Sequence, residues 1–175
     1  MKKILIAYAS KSGTVRTCAE KLAKELDGYS IDIVDLNENM PKDIDGYDFV
    51  AVGSSVRMGK LQPHAASFID RFEPTLKKMR AGYFICCGFT DSADEYFSKN
   101  ISSELLDRAV AYECFGGELD PKKHKGFDRF VVRAVKNSVL DEGAHDGEMR
   151  TANLPAIEPE SISRFASYVR RSFVK

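Results

Sequence analysis

Short apolar runs alternate along this chain with longer segments of helical period, and that alternation limits the fold more than any other feature. The runs that read as strands cover residues 2–8, 31–36, 49–53, 83–88 and 109–115. Between them, residues 15–26 place Cys18, Ala19, Leu22, Ala23 and Leu26 on one helical face. A segment from Pro63 carries Ala66, Ile69 and Phe72 inward, with Pro74 restarting or kinking it and Leu76 continuing the stripe. A further helix is predicted over 95–107. A last one is predicted over 159–173, where Ile162, Phe165, Ala166, Val169 and Phe173 form the apolar stripe behind Pro159. Strands that alternate with helices pair in parallel, each crossover returning the chain to the same end of the sheet. The predicted fold class is α/β: a doubly wound, five-stranded parallel sheet of order 2-1-3-4-5, in a single domain spanning residues 1–175.

Three polar loops follow the first, third and fourth runs. The first is Ser10-Lys11-Ser12-Gly13-Thr14-Val15, leading directly into a helix. The first N–H groups of a helix have no intrahelical partner and carry the positive end of its dipole. Hydroxyls at Ser10, Ser12 and Thr14 add donors, and Gly13 lets backbone approach an anion closely. Taken alone, the stretch reads equally as a plain capped turn. The second loop is Ser54-Ser55-Val56-Arg57-Met58-Gly59, ending at Lys60; the third starts at Gly88-Phe89-Thr90-Asp91 and runs to Asp94. In open α/β sheets, ligands sit at the carboxyl ends of strands where strand order reverses. The order 2-1-3-4-5 makes these three loops neighbours, which favours a phosphate cradle over a plain turn.

Charge and cysteine usage narrow the function classes. The 26 basic and 26 acidic side chains cancel, which argues against nucleic acid as a partner held by net charge. No apolar run approaches the roughly 18 residues of a membrane span, and the opening run is too short for a signal peptide. The expectation is a cytoplasmic protein. Cys18, Cys86, Cys87 and Cys114 form no C-x-x-C and no zinc spacing, so they read as small buried hydrophobes in a reducing compartment. Cys86 and Cys87 are adjacent and point to opposite faces of a strand; a redox role for them is the alternative. His64, His124 and His145 have no metal spacing, and no metal site is expected.

The last third holds an insertion, residues 118–158, between strand five and the final helix. It includes a predicted helix over 127–139 whose apolar line is Phe127, Phe130, Val131, Ala134, Val135 and Val139. Lys122, Lys123, Lys125, Arg129, Arg133 and Lys136 make its surroundings basic. Three readings stand side by side. The helix packs on its own sheet with a solvated basic face, lies against an anionic membrane surface, or receives the carboxylates of a porphyrin.

Ser10-Lys11-Ser12-Gly13-Thr14, then Gly53 to Gly59, then the loop after Cys87 resemble the three FMN loops of flavodoxins, the family that exemplifies the 2-1-3-4-5 order. The Ser-Ser-Val-Arg-Met-Gly loop, the insertion and the Phe127-Asp128-Arg129-Phe130 opening are similar to flavodoxin-like, menaquinone-dependent protoporphyrinogen oxidases of heme biosynthesis. The resemblance implies FMN as cofactor, with its phosphate on the first loop. Val56, Arg57 and Met58 would touch one side of the flavin and Phe89, Thr90 and Asp91 the other. It implies Arg57 as the catalytic residue, a cation that raises the two-electron potential; a surface or ion-paired arginine is the plainer alternative. It also implies a quinone or other electron acceptor, a porphyrin-type substrate and peripheral contact with the inner face of a membrane. The alternative function is a one-electron carrier serving redox partner proteins. Three departures stand out. Val15 replaces a common Thr, Trp is absent, and the charge is balanced where electron-carrier flavodoxins are acidic. A signalling receiver is disfavoured, because Ala9-Ser10 and Gly53-Ser54 stand where it needs acidic residues. The G-x-x-x-x-G-K-[ST] and G-x-G-x-x-G motifs are absent.

Overall fold

A computed structural model describes residues 1–88, 90–117 and 156–174. Along the chain come β1 (Lys3–Ala9), α1 (Thr14–Glu25), β2 (Ser30–Asp35), β3 (Phe49–Arg57), β4 (Lys60–Leu61), α2 (Pro63–Leu76) and β5 (Arg80–Cys86). A 3-10 turn at Thr90–Ser92, α3 (Ala93–Asn100), α4 (Ser103–Arg108), β6 (Ala111–Cys114) and α5 (Pro159–Phe173) complete the described elements.

Five strands pair in parallel in the order β2-β1-β3-β5-β6, the predicted topology. β1, β3 and β5 lie inside the sheet with both faces covered, so their sequences are near-continuous apolar runs. β2 is an edge strand, and its Ile33 is accordingly exposed. On one face, α1 and α5 bury Val15, Leu22, Ile162, Phe165 and Val169 against β1 and β3. On the other face, α2, α3 and α4 bury Phe68, Ile69, Phe72, Phe97 and Leu105.

Three local expectations change. Residues 54–57 are not loop: β3 continues through them and pairs with a sixth, antiparallel strand, β4. The cause is a two-residue turn in which Met58 at φ 50° and Gly59 at φ 74° both take left-handed values, the geometry that joins strands of native twist. The predicted helix over 95–107 is two helices, broken where Ile101 (φ −128°) is extended. Phe97, Ile101 and Leu105 follow one another at helical spacing and all reach the same core, which is why their periodicity hides the break. Pro74 neither restarts nor ends α2; it sits in its last turn, which runs on to Leu76. Of the insertion expected at 118–158, the helix at 127–139 lies outside the described residues.

Aromatic rings fill the α1/α5 face. Phe84 stacks on Phe115 with centroids 4.6 Å apart, and Phe165 meets Phe115 edge-on at 5.6 Å. The Phe84 ring lies over Gly53, where an added Cβ would sit 2.1 Å from its tip. Gly53→Ala therefore forces the ring out of its stack and is expected to cost about 1–3 kcal/mol of unfolding free energy. Urea denaturation checks this, and an unchanged midpoint would show that the ring moves without cost.

Candidate functional site

The sheet register brings the carboxyl ends of β1, β3 and β5 to one edge. Ala9 pairs with Ser54, and Ser54 and Ser55 pair with Ile85 and Cys86. The strand order reverses between β1 and β3, so the segments that leave them turn to opposite faces and open a crevice.

The first loop folds on itself. Ser10 Oγ accepts the Gly13 N–H at 3.0 Å. Gly13 (φ 86°) stands at the N-cap of α1 with no side-chain cap. The first helical bond runs from the Thr17 N–H to the Gly13 carbonyl. The N–H groups of Thr14, Val15 and Arg16 thus have no partner within the helix, and they carry its positive dipole end. Ser12 Oγ and Thr14 Oγ1 approach within 3.5 Å, so two hydroxyls converge beside those donors. Val15 is fully buried in the α1 core, so its side chain packs and faces away from the loop's polar groups. Lys11 is exposed.

Asn37, from the turn after β2, holds this loop in place. Its Nδ2 donates to the Ser10 carbonyl at 3.1 Å and to Asp35 Oδ1 at 2.9 Å. Its Oδ1 faces His64 Nδ1 at 3.0 Å, so that ring nitrogen is the donor. Tyr8, just before the loop, is buried beside Asp35, and burial first and then that carboxylate push its hydroxyl pKa up.

The second segment is the β3–β4 hairpin. Ser54 is buried, its Oγ accepting the Gln62 N–H at 2.9 Å and donating to the Ser55 carbonyl. It therefore ties β3 to the start of α2. Ser55 Oγ is buried with no hydrogen-bond partner among the described residues. Val56 is half-buried, Arg57 is exposed, and Met58 is 92% exposed at the tip. Asn100 fastens the hairpin from behind. Its Nδ2 donates to the Gly59 carbonyl at 2.8 Å, and its Oδ1 accepts the Leu61 N–H at 3.1 Å.

The third segment leaves β5 through Cys87 and the half-buried Gly88. Phe89 lies outside the described residues, Thr90 opens the 3-10 turn, and Asp91 is exposed within it. Gly117 presses against this exit, since a Cβ there would come 2.7 Å from the Cys87 carbonyl. No group of three metal-ligating side chains occurs among the described residues. A surface groove at the opposite end of the sheet, lined by Asp48, Lys78, Arg80 and Val110, has none of these unpartnered donors, and the three-loop edge is the better candidate.

The sequence singled out the three segments but not Asn37, Asn100 or His64. An Asp-x-Asn pair after a strand, here Asp35 and Asn37, is a turn signal, yet nothing in one dimension shows that it reaches Ser10.

The model of the flavodoxin domain matches residues 5–146. The chain belongs to the flavodoxin-domain family. A flavodoxin from Fusobacterium nucleatum, described as bound to flavin mononucleotide, superposes over 99% of both chains at 10% identity and a TM-score of 0.51. The Flv1 flavodiiron core from Synechocystis sp. PCC6803 covers 98% of this chain at 14% identity and a TM-score of 0.54. A flavo di-iron protein from Thermotoga maritima covers 77% of it at 18% identity and a TM-score of 0.51. This flavodoxin-domain chain spans only 36% and 34% of those two. At such identities the likeness is one of fold. No curated protein matches the chain. No described helix is long and apolar enough to cross a membrane.

Asn100→Ala removes the partner of the Leu61 N–H and of the Gly59 carbonyl. The expected result is hydrogen exchange at Leu61 faster by about tenfold, corresponding to about 1.4 kcal/mol of lost local stability. Unchanged exchange would mean that strand pairing alone holds the hairpin.

Proposed function

We propose that this flavodoxin-domain protein binds FMN at the edge formed by β1, β3 and β5 and works as a flavoprotein oxidoreductase. One observation carries the reading: the uncapped amino end of α1, where the N–H groups of Thr14, Val15 and Arg16 stand beside the Ser12 and Thr14 hydroxyls. That donor set suits an anion, a phosphate group among them. The Fusobacterium neighbour described with flavin mononucleotide adds support from the same fold. FMN, when bound, supplies transfer of one electron or of an electron pair.

The chain's own residues then divide the work. Ser12, Thr14 and the three N–H groups hold the phosphate, and Asn37 keeps the Ser10 carbonyl turned away so that the loop stays open to an anion. Ser55 offers an unused hydroxyl at the same edge, and the Val56–Met58 arm and the Thr90–Asp91 turn flank it. Arg57 brings a cation to the hairpin, and a cation favours added negative charge on a neighbouring ring. In the finer reading, electron pairs pass from a reduced, porphyrin-type substrate to a quinone-type acceptor, in the manner of the quinone-dependent protoporphyrinogen oxidases. Arg57 and the balanced charge of the chain support it over the one-electron carrier. The carrier is the second reading, because the family domain by itself is sufficient for it.

Purified protein is expected to be yellow and to release FMN on heating; colourless protein that takes up no micromolar FMN overturns the reading. Thr14→Ala and Asn37→Ala are each expected to weaken FMN binding about fivefold, near 1 kcal/mol, as read by flavin fluorescence titration. Arg57→Gln is expected to lower the two-electron potential of the FMN-loaded protein, measured by spectroelectrochemistry. A potential that stays put, or absence of turnover with protoporphyrinogen and menaquinone, leaves the carrier reading.

A further inference from the structure

The four cysteines, all reduced, are arranged as two pairs. Cys86 and Cys87 follow one another at the end of β5 and so face opposite sides of the sheet. Cys86 meets Cys18 of α1 with sulfurs 3.6 Å apart, in the core shared with α5. Cys87 meets Cys114 of β6 with sulfurs 3.4 Å apart, in the core on the other face. Such contacts leave each pair of sulfurs about 1.5 Å farther apart than the roughly 2.05 Å of a disulfide, so the bond forms when the side chains rotate and the segments that carry them close up.

The two pairs differ in their surroundings. Cys18 is 0% exposed, and Cys86, sealed against it, has its thiol pKa pushed well up, first by its contact with Cys18 and then by burial. A thiol held in that state is a poor nucleophile. Cys114 is 9% exposed and is the last residue of β6, beside the exit from β5. Its pKa is held down, chiefly because the Cys87 thiol donates to it; burial opposes this, while the Gly116 and Cys87 N–H groups add to the lowering. A thiolate there has a second thiol already in contact.

We propose that Cys87 and Cys114 form a dithiol site that hydrogen peroxide or another small peroxide converts into a disulfide, while the Cys18–Cys86 pair stays reduced. The low exposure of the pair selects a small oxidant over a bulky disulfide such as oxidised glutathione. The steps balance. The Cys114 thiolate attacks one peroxide oxygen, the O–O bond breaks, and with one proton the products are a Cys114 sulfenic acid and water. The Cys87 sulfur then attacks the Cys114 sulfur, the S–S bond forms, the S–O bond breaks, and a second water leaves with the thiol proton. Two electrons pass from the two sulfurs to the peroxide. A thiol reductant reverses the change by exchange. The bond joins the residue immediately before Gly88 to β6. It reinforces covalently a junction that otherwise includes the Cys87 N–H to the Gly116 carbonyl. The inference is independent of whether FMN binds.

The test uses the full-length chain, reduced, desalted and treated with a few equivalents of hydrogen peroxide. It is then alkylated in denaturant and digested with trypsin. The expected product is a cross-link between the peptides 81–99 and 109–122, with fragmentation placing the bond on Cys87 and Cys114. With Cys86 alkylated, its mass is about 2 Da below the sum of reduced 109–122 and 81–99 carrying one alkyl group, and dithiothreitol removes it. Cys18 and Cys86 are expected to remain fully alkylated. A cross-link from 17–21 to 81–99 forming first, a bond within 81–99, or four intact thiols would each overturn the proposal. Cys87→Ser, checked for folding by circular dichroism, is expected to leave Cys114 as a sulfenic acid captured by dimedone. Cys87→Ala stands in if the serine variant does not fold. Absence of dimedone capture in a folded variant would overturn the assignment of Cys114 as the attacking sulfur.

Discussion

The parallel pairing of β1 with β3 is the constraint on which the rest depends. Residues Ile4 to Ala9 pair with Phe49 to Ser54, and both strands are buried on each face. Their backbone groups are cut off from water, so the ladder must satisfy them, and its register is held by every side chain that alternates between the two cores. Because β2 lies on one side of β1 and β3 on the other, the chain must leave their carboxyl ends toward opposite faces. The crevice follows from that divergence and not from any one loop sequence.

Small polar residues then turn a divergence into a shaped edge. Asn37 crosses from the β2 turn to the Ser10 carbonyl, Asn100 crosses from α3 to the hairpin turn and β4, and Ser54 links β3 to Gln62 at the N-cap of α2. The asparagine bonds join elements far apart in sequence, and all of these bonds satisfy a backbone group that would otherwise be orphaned near the site. Among the described residues, two buried hydroxyls lack a partner: Ser55 at this edge, beside the uncapped start of α1, and Tyr83 in the middle of β5.

The adjacent cysteines show the two-faced character of the same sheet. One residue step along β5 moves a thiol from the α1/α5 core to the α2/α3/α4 core, from a sealed pair to one beside the loop edge. The neighbours set the acidities: Cys86 is pushed up by its contact with Cys18 and by burial, whereas Cys114, the partner of Cys87, is held down by the contact between them.

The sequence by itself determined the layers: the continuous apolar runs of β1, β3 and β5 demanded burial on both sides, and the stripes of α1, α2 and α5 supplied the cover. It also marked the three segments at the candidate site, because apolar runs that break into Ser, Thr and Gly signal the ends of strands. Only the tertiary structure decided that residues 54–57 extend a strand into a hairpin, that Ile101 splits a helix, and which asparagines hold the loops. It alone paired Cys87 with Cys114 and Cys18 with Cys86. The physical reason is range: periodicity and turn chemistry act within a few residues of chain. A hydrogen bond or a thiol contact between residues 27 or more positions apart exists only once the sheet register has brought them together.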